Sequence, residues 1–338
     1  MKLKKRILNL SGSKRFRCGL TGALILLLMT NAARSADSSD STATATAKKF
    51  DVIDLWPSEP PTWVGTKEAE RDTSGNEGRD VAGKPVIRLG HVSKPQLHFY
   101  PVVPGQMQKD KDTVILVCPG GGYSILAWDL EGTEIAEQFN ALGYSAAVVK
   151  YRVPTRQTDL AWLPPVQDIQ RSISLLRKSA IPGTQGYNFQ RVGVVGFSAG
   201  GNAAARVATA AGKRFYEPMD EIDKSSCQVD FAGLIYPWLM IEDPAKVKDG
   251  GVKPHGIVPD LNVNESTPPM FFAHAIDDPI SCRNSSELFE ALHAKGVKAE
   301  LHLFGGGGHG FGARDQKLAA ASWPTQMAAW IATLHSTP

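Results

Sequence analysis

Short apolar runs alternate with longer amphipathic stretches through most of this chain. The apolar runs after residue 112 are TVILVC, SAAVVKYRV, RVGVVGF, FAGLIYPW, PMFFAHA and AELHLF. Most of the stretches between them have helical periodicity, as in EGTEIAEQFNALG, PVQDIQRSISLLRKSA, SAGGNAAARVATAAG and RNSSELFEALHAKG. Strands that are apolar along their whole length need cover on both faces, and the intervening helices supply it. The alternation therefore predicts an α/β fold with a mostly parallel sheet between two layers of helices.

Two further apolar runs precede this alternation, VIRLG at 86–90 and QLHFYPV at 96–102. We expect them to form an antiparallel pair, which brings the sheet to eight strands in a single domain over residues 51–338. Residues 51–85 are rich in Pro, Gly and charged residues, so they are expected to form surface loops. In open sheets of this kind, functional sites form at the carboxyl ends of the strands.

The first 35 residues have the composition of a secretory signal peptide. They carry eight Lys and Arg and no acidic residue, and the uncharged segment before Arg34 contains ALILLLM. Ala33 and Ser35 suit cleavage after Ser35. The 16 uncharged residues fall short of the roughly 20 that a spanning helix needs. This length favours export to the periplasm or out of the cell, without stable membrane insertion. The alternative is an uncleaved membrane anchor. The Ser/Thr/Ala-rich residues 36–50 are expected to be a flexible leader.

The charge and the cysteines narrow the possible functions. Of the 37 basic residues, eight lie in the first 35, which leaves 29 against 34 acidic residues. No basic stripe remains, which argues against a nucleic-acid partner. Beyond the signal segment the chain has Cys118, Cys227 and Cys282, whose spacings match no metal site. Cys118 is expected to be a small buried residue, and a Cys227–Cys282 disulfide is compatible with an oxidising compartment but not required.

The apolar run RVGVVGF leads directly into Ser198, within Gly-Phe-Ser-Ala-Gly at residues 196–200. A Gly-x-Ser-x-Gly match by itself is weak, and an isolated serine at a helix start is usually an N-cap. The position of this serine between a predicted strand and a predicted helix is far more specific. Such a turn exposes the hydroxyl, and small residues on either side let the two backbones approach. Ser198 is therefore a candidate nucleophile.

Two later strands end beside titratable residues. Asp277 and Asp278 follow PMFFAHA, and His309 lies in the glycine-rich loop after the last strand. Each alone would be assigned to turn chemistry or to the surface, but the order Ser, Asp, His, with room for one helix and one strand between the last two, is that of a catalytic triad. A histidine removes the serine proton, and a buried carboxylate fixes its tautomer and stabilises its cation. For His274, in the strand before the two acids, core packing is expected.

The sequence VCPGGGY at 117–123 places three glycines directly after a strand. A phosphate-binding loop is excluded here, since the spacing of these glycines matches neither Gly-x-x-x-x-Gly-Lys-Ser/Thr nor Gly-x-Gly-x-x-Gly. A tetrahedral intermediate needs fixed amide donors for its oxyanion, and glycine lets the backbone approach the substrate oxygen closely. We therefore expect this loop to supply part of an oxyanion hole.

Taken together, these motifs resemble those of secreted esterase/lipase-like α/β-hydrolases, in a branch similar to acetylxylan esterases. The resemblance spans residues 51–338 and is carried by DLWP, VCPGGGY, DLEGTEIA, VVKYRVP, QDIQRSISLLR, GFSAGG, DFAGLIYP, AHAIDDP and GGGHGFG. It implies the α/β-hydrolase fold, with Ser198 as nucleophile and His309 as general base. It implies neither a metal nor a cofactor.

The resemblance also assigns the remaining site residues. The family's acid follows a small residue and two variable positions, which places it at Asp278 rather than at the preceding aspartate. The implied oxyanion donors are the amides of Ala199, directly after the nucleophile, and of Gly121 and Gly122. Relatives carry histidine before these glycines where this chain has Pro119, so the choice of donors within the loop stays open.

These features predict a serine esterase that acts through an acyl-enzyme. Export and the resemblance favour small acyl esters as substrates, acetyl above all, on xylan-type or other polysaccharides. Tyr123, Trp128 and Trp238 are candidates for the substrate pocket, with core packing as the alternative. The sequence specifies no oligomeric state.

Three other functions are compatible with the same fold. An exopeptidase of the prolyl-oligopeptidase type has the same triad, but it usually adds a propeller or a carboxylate pair for the peptide amine, and neither is recognisable here. A non-catalytic binding protein on this scaffold is expected to have lost the serine or the histidine. A lipase is disfavoured because no long apolar lid segment lies between the predicted strands.

Overall fold

The structure is a computed structural model that describes residues 51–334, except 63–65, 67, 76–77, 103–109, 183, 185 and 242–255. The predicted signal peptide (1–35) and leader (36–50) lie outside the described residues. The described residues belong to one compact unit.

Strands and helices alternate along the described chain. The strands are β1 (Asp51–Asp54), β2 (Arg71–Asp72), β3 (Asp80–Val81), β4 (Lys84–Pro85), β5 (Arg88–Gly90), β6 (Gln96–Tyr100), β7 (Thr113–Cys118), β8 (Leu126–Ala127), β9 (Ser145–Lys150), β10 (Arg191–Phe197), β11 (Phe231–Ile235), β12 (Met270–Ala275) and β13 (Ala299–Phe304). The α-helices are α1 (Glu134–Ala141), α2 (Leu163–Arg177), α3 (Ser198–Thr209), α4 (Arg283–Ala294) and α5 (Trp323–Thr333). A π-helical turn at Asp129–Thr133 leads into α1.

The central sheet has eight strands in the order β1-β6-β9-β7-β10-β11-β12-β13. The pairs β1-β6 and β6-β9 are antiparallel. Every other pair in this sheet is parallel. The predicted eight-stranded, mostly parallel sheet is thereby confirmed, and the six apolar runs after residue 112 are its six parallel strands.

Helices cover both faces of this sheet, as predicted. Successive side chains of a strand point to opposite faces. In β7, Val114 and Leu116 belong to the core beneath α2, α3 and α4, whereas Ile115 and Val117 belong to the core beneath α1 and α5. All four side chains are fully buried. Burial on both faces explains why such strands are continuous apolar runs without alternation.

The predicted pairing of residues 86–90 with 96–102 is wrong. β6 pairs with β1 on one side and with β9 on the other, while β5 joins β2 and β8 in a separate three-stranded sheet. β1 lies within the stretch expected to form loops. It has only four residues, with an aspartate at each end, and its Ile53 packs on the core while Val52 is exposed. Two apolar residues of opposite exposure are too few to show the period of a strand.

Three of the quoted motifs meet in a buried polar cluster. Arg152 of VVKYRVP and Asp168 of QDIQ form a fully buried ion pair, with Nε 2.9 Å from Oδ2. Trp56 of DLWP donates its indole N–H to Oδ1 of the same carboxylate at 2.8 Å. A buried charge is tolerated only when it is paired and hydrogen-bonded. These residues hold the chain after β9 against α2, which gives the three motifs a structural role.

The four helices predicted from the sequence are α1 to α4, and α5 lies outside the predicted stretches. Trp323, the first residue of α5, is fully buried and donates its indole N–H to the carbonyl of Gly312 at 2.9 Å. Within the described residues, no helix has the length and apolar character needed to cross a membrane.

Candidate active site

Ser198 lies at the junction of β10 and α3, where the backbone turns sharply. Its φ of 49° is in the left-handed region, which a serine adopts only when the surrounding structure holds it there. The turn depends on two close backbone contacts. A Cβ on Gly196 would lie 2.4 Å from the carbonyl oxygen of Gly200, and a Cβ on Gly200 would lie 2.2 Å from that of Cys118. The expectation that small residues allow this turn is therefore met by the geometry.

Three of the predicted site residues form a continuous chain of hydrogen bonds. Oγ of Ser198 lies 2.9 Å from Nε2 of His309, and Nδ1 of His309 lies 2.8 Å from Oδ2 of Asp278. Because an ionised carboxylate only accepts hydrogen bonds, Nδ1 carries the proton and Nε2 is free to accept the serine hydroxyl. The three side chains come from the ends of β10, β12 and β13, at the carboxyl edge of the sheet.

The carboxylate of Asp278 is closed off from solvent, with no side-chain exposure. Burial raises the pKa of this carboxyl, but hydrogen bonds from His274 and His309 outweigh burial and lower the pKa to about 2. The backbone amide of Ile280 also donates to Oδ1 at 2.6 Å. The group is therefore ionised over the whole neutral range and can hold an adjacent imidazole in one tautomer.

The other aspartate of the pair, Asp277, has a different role. Its Oδ1 accepts the amide of Gly308 at 2.8 Å, and its Oδ2 accepts the amide of Gly307 at 3.3 Å. The two adjacent acids thus have different contacts. Asp278 contacts the imidazole of His309, and Asp277 fixes the backbone of the loop that carries His309.

His274 is fully buried, as expected, but it is also part of the polar network. Its Nδ1 lies 2.8 Å from Oγ of Ser285, and its Nε2 lies 3.0 Å from the carbonyl of Ile280 and 3.2 Å from Oδ2 of Asp278. Core packing alone therefore does not describe this residue. The sequence signal for this contact was the position of His274, four residues before Asp278.

The glycine loop after β7 presents its backbone to the serine. Gly121 and Gly122 line the same cavity as Ser198, with φ values of 132° and 62°. A Cβ on Gly121 would lie 2.1 Å from the carbonyl oxygen of Ile125, so this position excludes a side chain. Ala199 is the second residue of α3, where a helix leaves its amides without an intrahelical acceptor.

The first glycine of the loop differs from the other two. The amide of Gly120 donates at 2.8 Å to Oε2 of Glu131, a buried carboxylate of the π-helical turn. Oε1 of Glu131 accepts the hydroxyl of Tyr236 at 2.9 Å, and this hydroxyl in turn accepts the amide of Gly312 at 3.1 Å. Burial raises the pKa of the Glu131 carboxyl. Glu131 thus connects the glycine loop, through Tyr236, with the loop that carries His309.

Pro119 stands where the resembling family has histidine, and its carbonyl is held in place. The hydroxyl of Tyr151 donates to the carbonyl oxygen of Pro119 at 2.5 Å. Tyr151 belongs to the VVKYRVP motif and is fully buried. A proline and a buried tyrosine therefore fix the start of the glycine loop without a histidine.

Two family models match overlapping parts of the chain. One describes the BD-FAE family and matches residues 102–236, and the other describes the prolyl oligopeptidase family and matches residues 183–336. The crystal structure of an acetyl ester-xyloside bifunctional hydrolase from Caldicellulosiruptor lactoaceticus is 25% identical, with a TM-score of 0.60 over 86% of this chain and 98% of that one. The chain has the α/β-hydrolase fold.

Two other proteins are similar to parts of this chain. An acetylxylan esterase from Xylanibacter ruminicola is 27% identical over 213 residues, which is 59% of this chain and 41% of that protein. The match thus spans less than half the length of this curated relative. A thermophilic esterase from Thermogutta terrifontis is 22% identical, with a TM-score of 0.56 over 71% of this chain and 89% of that one. A structural similarity at 22% identity shows a shared fold and nothing more.

The α/β-hydrolase has a cavity of about 400 Å³ at the proposed nucleophile. It is lined by Arg79, Val86, Arg88, Gly121, Gly122, Ile125, Ala127, Leu130, Glu131, Arg156, Ser198, Trp238, Ile280, His309 and Gly310. The three arginines are exposed, and no feature of the sequence had pointed to them as part of a site. Arg79 and Arg88 flank the β3–β4 pair, whereas Arg156 follows β9, so only the fold brings the three side chains to one cavity.

Of the three aromatic residues expected at the pocket, Trp238 lines the cavity. Tyr123 is buried beneath the glycine loop, with its hydroxyl donating to Oδ1 of Asn202 at 2.8 Å. Trp128 is partly buried and packs against the core, edge-on to His98 at 4.9 Å between ring centroids. Tyr123 and Trp128 are thus packing residues, the alternative given for them above, and are not among the residues that line the cavity.

The three cysteines in the described part of the chain form no disulfide. Cys118, Cys227 and Cys282 are free thiols, so the possible disulfide between the last two is not formed. Among the described residues, no group of three or more His, Cys, Asp or Glu is placed to hold a metal ion.

Proposed function

We propose that this α/β-hydrolase is a serine carboxylic ester hydrolase. The observation that carries the proposal is the hydrogen-bonded chain from Oγ of Ser198 through His309 to Oδ2 of Asp278, with distances of 2.9 and 2.8 Å. These three residues are assigned as nucleophile, general base and orienting acid of a catalytic triad.

The proposed reaction runs through an acyl-enzyme. Nε2 of His309 takes the proton of Ser198 as Oγ attacks the ester carbonyl, and Asp278 stabilises the resulting imidazolium. The imidazolium then gives its proton to the leaving alcohol oxygen. In the second half, His309 removes a proton from water, which attacks the acyl carbon, and the proton returns to Oγ as the acid leaves.

The oxyanion formed in each half needs hydrogen-bond donors that are already in place. The amides of Gly121, Gly122 and Ala199 are the proposed donors. Gly120 is not among them, since its amide is committed to Glu131. This commitment narrows the choice within the glycine loop to its second and third glycines.

The proposed substrates are small acyl esters, with acetyl groups on xylan-type polysaccharides as the leading class. The names of two relatives support this choice, an acetylxylan esterase and an acetyl ester-xyloside bifunctional hydrolase. Export through the signal segment at residues 1–35 is part of the proposal, because the proposed polysaccharide substrates lie outside the cell.

The test compares the purified protein with its Ser198→Ala variant on p-nitrophenyl acetate and on acetylated xylan. The proposal expects acetate release from both by the wild type and loss of at least about 10³-fold in kcat for the variant. A fluorophosphonate probe should label Ser198 and nothing else, as read by peptide mass spectrometry. Activity that persists in a folded Ser198→Ala protein contradicts the assignment, and so does labelling elsewhere.

The match to the prolyl oligopeptidase family gives a second candidate function, an exopeptidase. The same preparation should therefore be assayed on aminoacyl-p-nitroanilides. A kcat/KM higher on an anilide than on p-nitrophenyl acetate favours the peptidase. Wild-type protein inactive on both classes, and unlabelled by the probe, favours a non-catalytic binding protein.

A further inference from the structure

Three guanidinium groups converge on the cavity that contains Ser198. Arg79 precedes β3, Arg88 begins β5 and Arg156 follows β9, and all three line the cavity together with His309. In the described part of the chain, none of the three side chains forms an ion pair with a carboxylate. Arg71, an exposed arginine that does not line the cavity, instead pairs with Glu68 at 2.6 Å.

Two of these arginines lie close to the loops that carry the proposed reacting groups. The guanidinium of Arg156 lies over the ring of Trp238 at 5.0 Å, and a Cβ on Gly122 would lie 2.9 Å from its Nη1. A Cβ on Gly310, next to His309, would lie 2.9 Å from Nη1 of Arg79. One cation thus borders the glycine loop and another borders the loop that carries the imidazole.

The cavity has little negative charge to balance them. Glu131 is the single acidic residue among the described residues that line it, and its oxygens already accept hydrogen bonds from Gly120 and Tyr236. Outside its first 35 residues the chain has more acidic than basic residues, so composition does not predict three arginines at one site with no ion pair to any described residue. Clefts lined by one sign of charge concentrate ligands of the opposite sign.

We propose that the ester substrate carries an anionic group on its alcohol part, a carboxylate or a sulfate such as those of acidic polysaccharides. This rests on the proposed esterase function. Guanidinium groups bind planar and tetrahedral oxoanions through paired N–H donors, which suits both groups. The alcohol part is assigned because His309 must hand its proton to the leaving alcohol. That part of the substrate therefore lies along Gly310, where Arg79 is placed.

The test uses acetyl esters that differ in one substituent. These are 4-acetoxybenzoate, 4-acetoxybenzenesulfonate and the neutral 4-acetoxybenzamide, with phenyl hydrogen succinate and phenyl butyrate as a pair that differs on the acyl side. Each rate is divided by the rate of alkaline hydrolysis of the same ester, which removes differences in intrinsic reactivity. We expect kcat/KM about tenfold or more higher for an anionic acetoxy ester than for the amide, with the carboxylate and sulfonate arms distinguishing the two anions.

The preference should depend on the arginines and on salt. Arg79→Gln and Arg156→Gln should each reduce the anionic-to-neutral ratio about threefold to tenfold, and Arg71→Gln, outside the cavity, should leave it unchanged. Raising the ionic strength from 0.01 to 0.5 M should also reduce the ratio, since the Debye length falls from about 30 Å to a few ångströms.

Two outcomes overturn this inference while leaving the esterase proposal intact. One is an anionic-to-neutral ratio near unity with all acetoxy esters hydrolysed, and the other is a preference seen only for the succinate ester. If no ester is hydrolysed and Ser198→Ala equals the wild type, the esterase proposal itself fails.

Discussion

His274 and Asp278 are in direct contact inside the protein, with Nε2 of His274 3.2 Å from Oδ2 of Asp278. Neither side chain has any solvent exposure. The same carboxylate oxygen contacts Nδ1 of His309 at 2.8 Å. A second, buried imidazole therefore supports the acid that the proposed triad depends on.

Replacing His274 should weaken catalysis without touching the substrate. His274→Leu removes a hydrogen bond that lowers the pKa of Asp278, and it leaves the carbonyl of Ile280 without a partner. We expect kcat to fall about 10- to 100-fold and the free energy of unfolding to fall by about 1–3 kcal/mol. Ser285→Ala is the matched control, because it removes only the partner of Nδ1 and should cost less in both measurements. Equal kcat for His274→Leu and the wild type would contradict this role.

The two adjacent aspartates should differ sharply on mutation. In Asp278→Asn the amide oxygen accepts the amide of Ile280, so an NH2 group faces Nδ1 of His309 and the Nδ1 proton loses its acceptor; kcat should fall by about 10³- to 10⁴-fold. Asp277→Asn keeps one acceptor for the amides of Gly307 and Gly308, and should lower kcat by less than about tenfold. Steady-state kinetics on p-nitrophenyl acetate gives both values. A larger loss in Asp277→Asn than in Asp278→Asn would reverse the assignment.

Acid should remove part of the stability that Asp278 supplies. Its pKa is lowered from 3.8 to about 2 in the folded protein, so the stabilisation is complete above about pH 4 and is lost as the pH falls through 2. The full effect is about 2 kcal/mol. The difference in unfolding free energy between the wild type and Asp278→Asn, measured by urea titration, should shrink between pH 5 and pH 2. A difference that stays constant over this range would show that Asp278 is not held ionised by its neighbours.

Glu131 should matter for activity although it lies behind the glycine loop. Glu131→Ala leaves the amide of Gly120 and the hydroxyl of Tyr236 without their acceptor, which should cost about 1–3 kcal/mol of stability and lower kcat at least about tenfold. Glu131→Gln keeps the shape and one acceptor, so its losses should be smaller. The paired measurement is kcat together with the urea midpoint. Unchanged kcat in Glu131→Ala would exclude a role in positioning the loop.

The turn at Ser198 should tolerate no side chain at its glycines. Gly200→Ala would place a Cβ 2.2 Å from the carbonyl oxygen of Cys118, and we expect about 3 kcal/mol of destabilisation with loss of activity. Gly305→Ala is the control, because nothing lies within 4 Å of a Cβ there. Thermal unfolding of the two variants should separate them by several degrees. Similar melting temperatures would mean that the turn has more room than these distances show.

The sequence by itself determined the main sheet, because strands buried on both faces are continuous apolar runs and their helices are amphipathic. It also located Ser198, His309 and the pair of aspartates, since strand ends place such residues at one edge of the sheet. β1 was missed for a physical reason. Four residues with an aspartate at each end have too little periodicity to be recognised, so β5 was paired with β6 instead.

Only the tertiary structure decided which residues surround the serine. Arg156 is separated from Arg79 and Arg88 by α1 and by strands β6, β7 and β9, and no local pattern relates the three arginines. The same is true of Glu131 and Tyr236, whose hydrogen bond spans 105 residues of sequence. Local periodicity reports which face of an element is buried, whereas contacts between distant segments depend on how the whole chain packs.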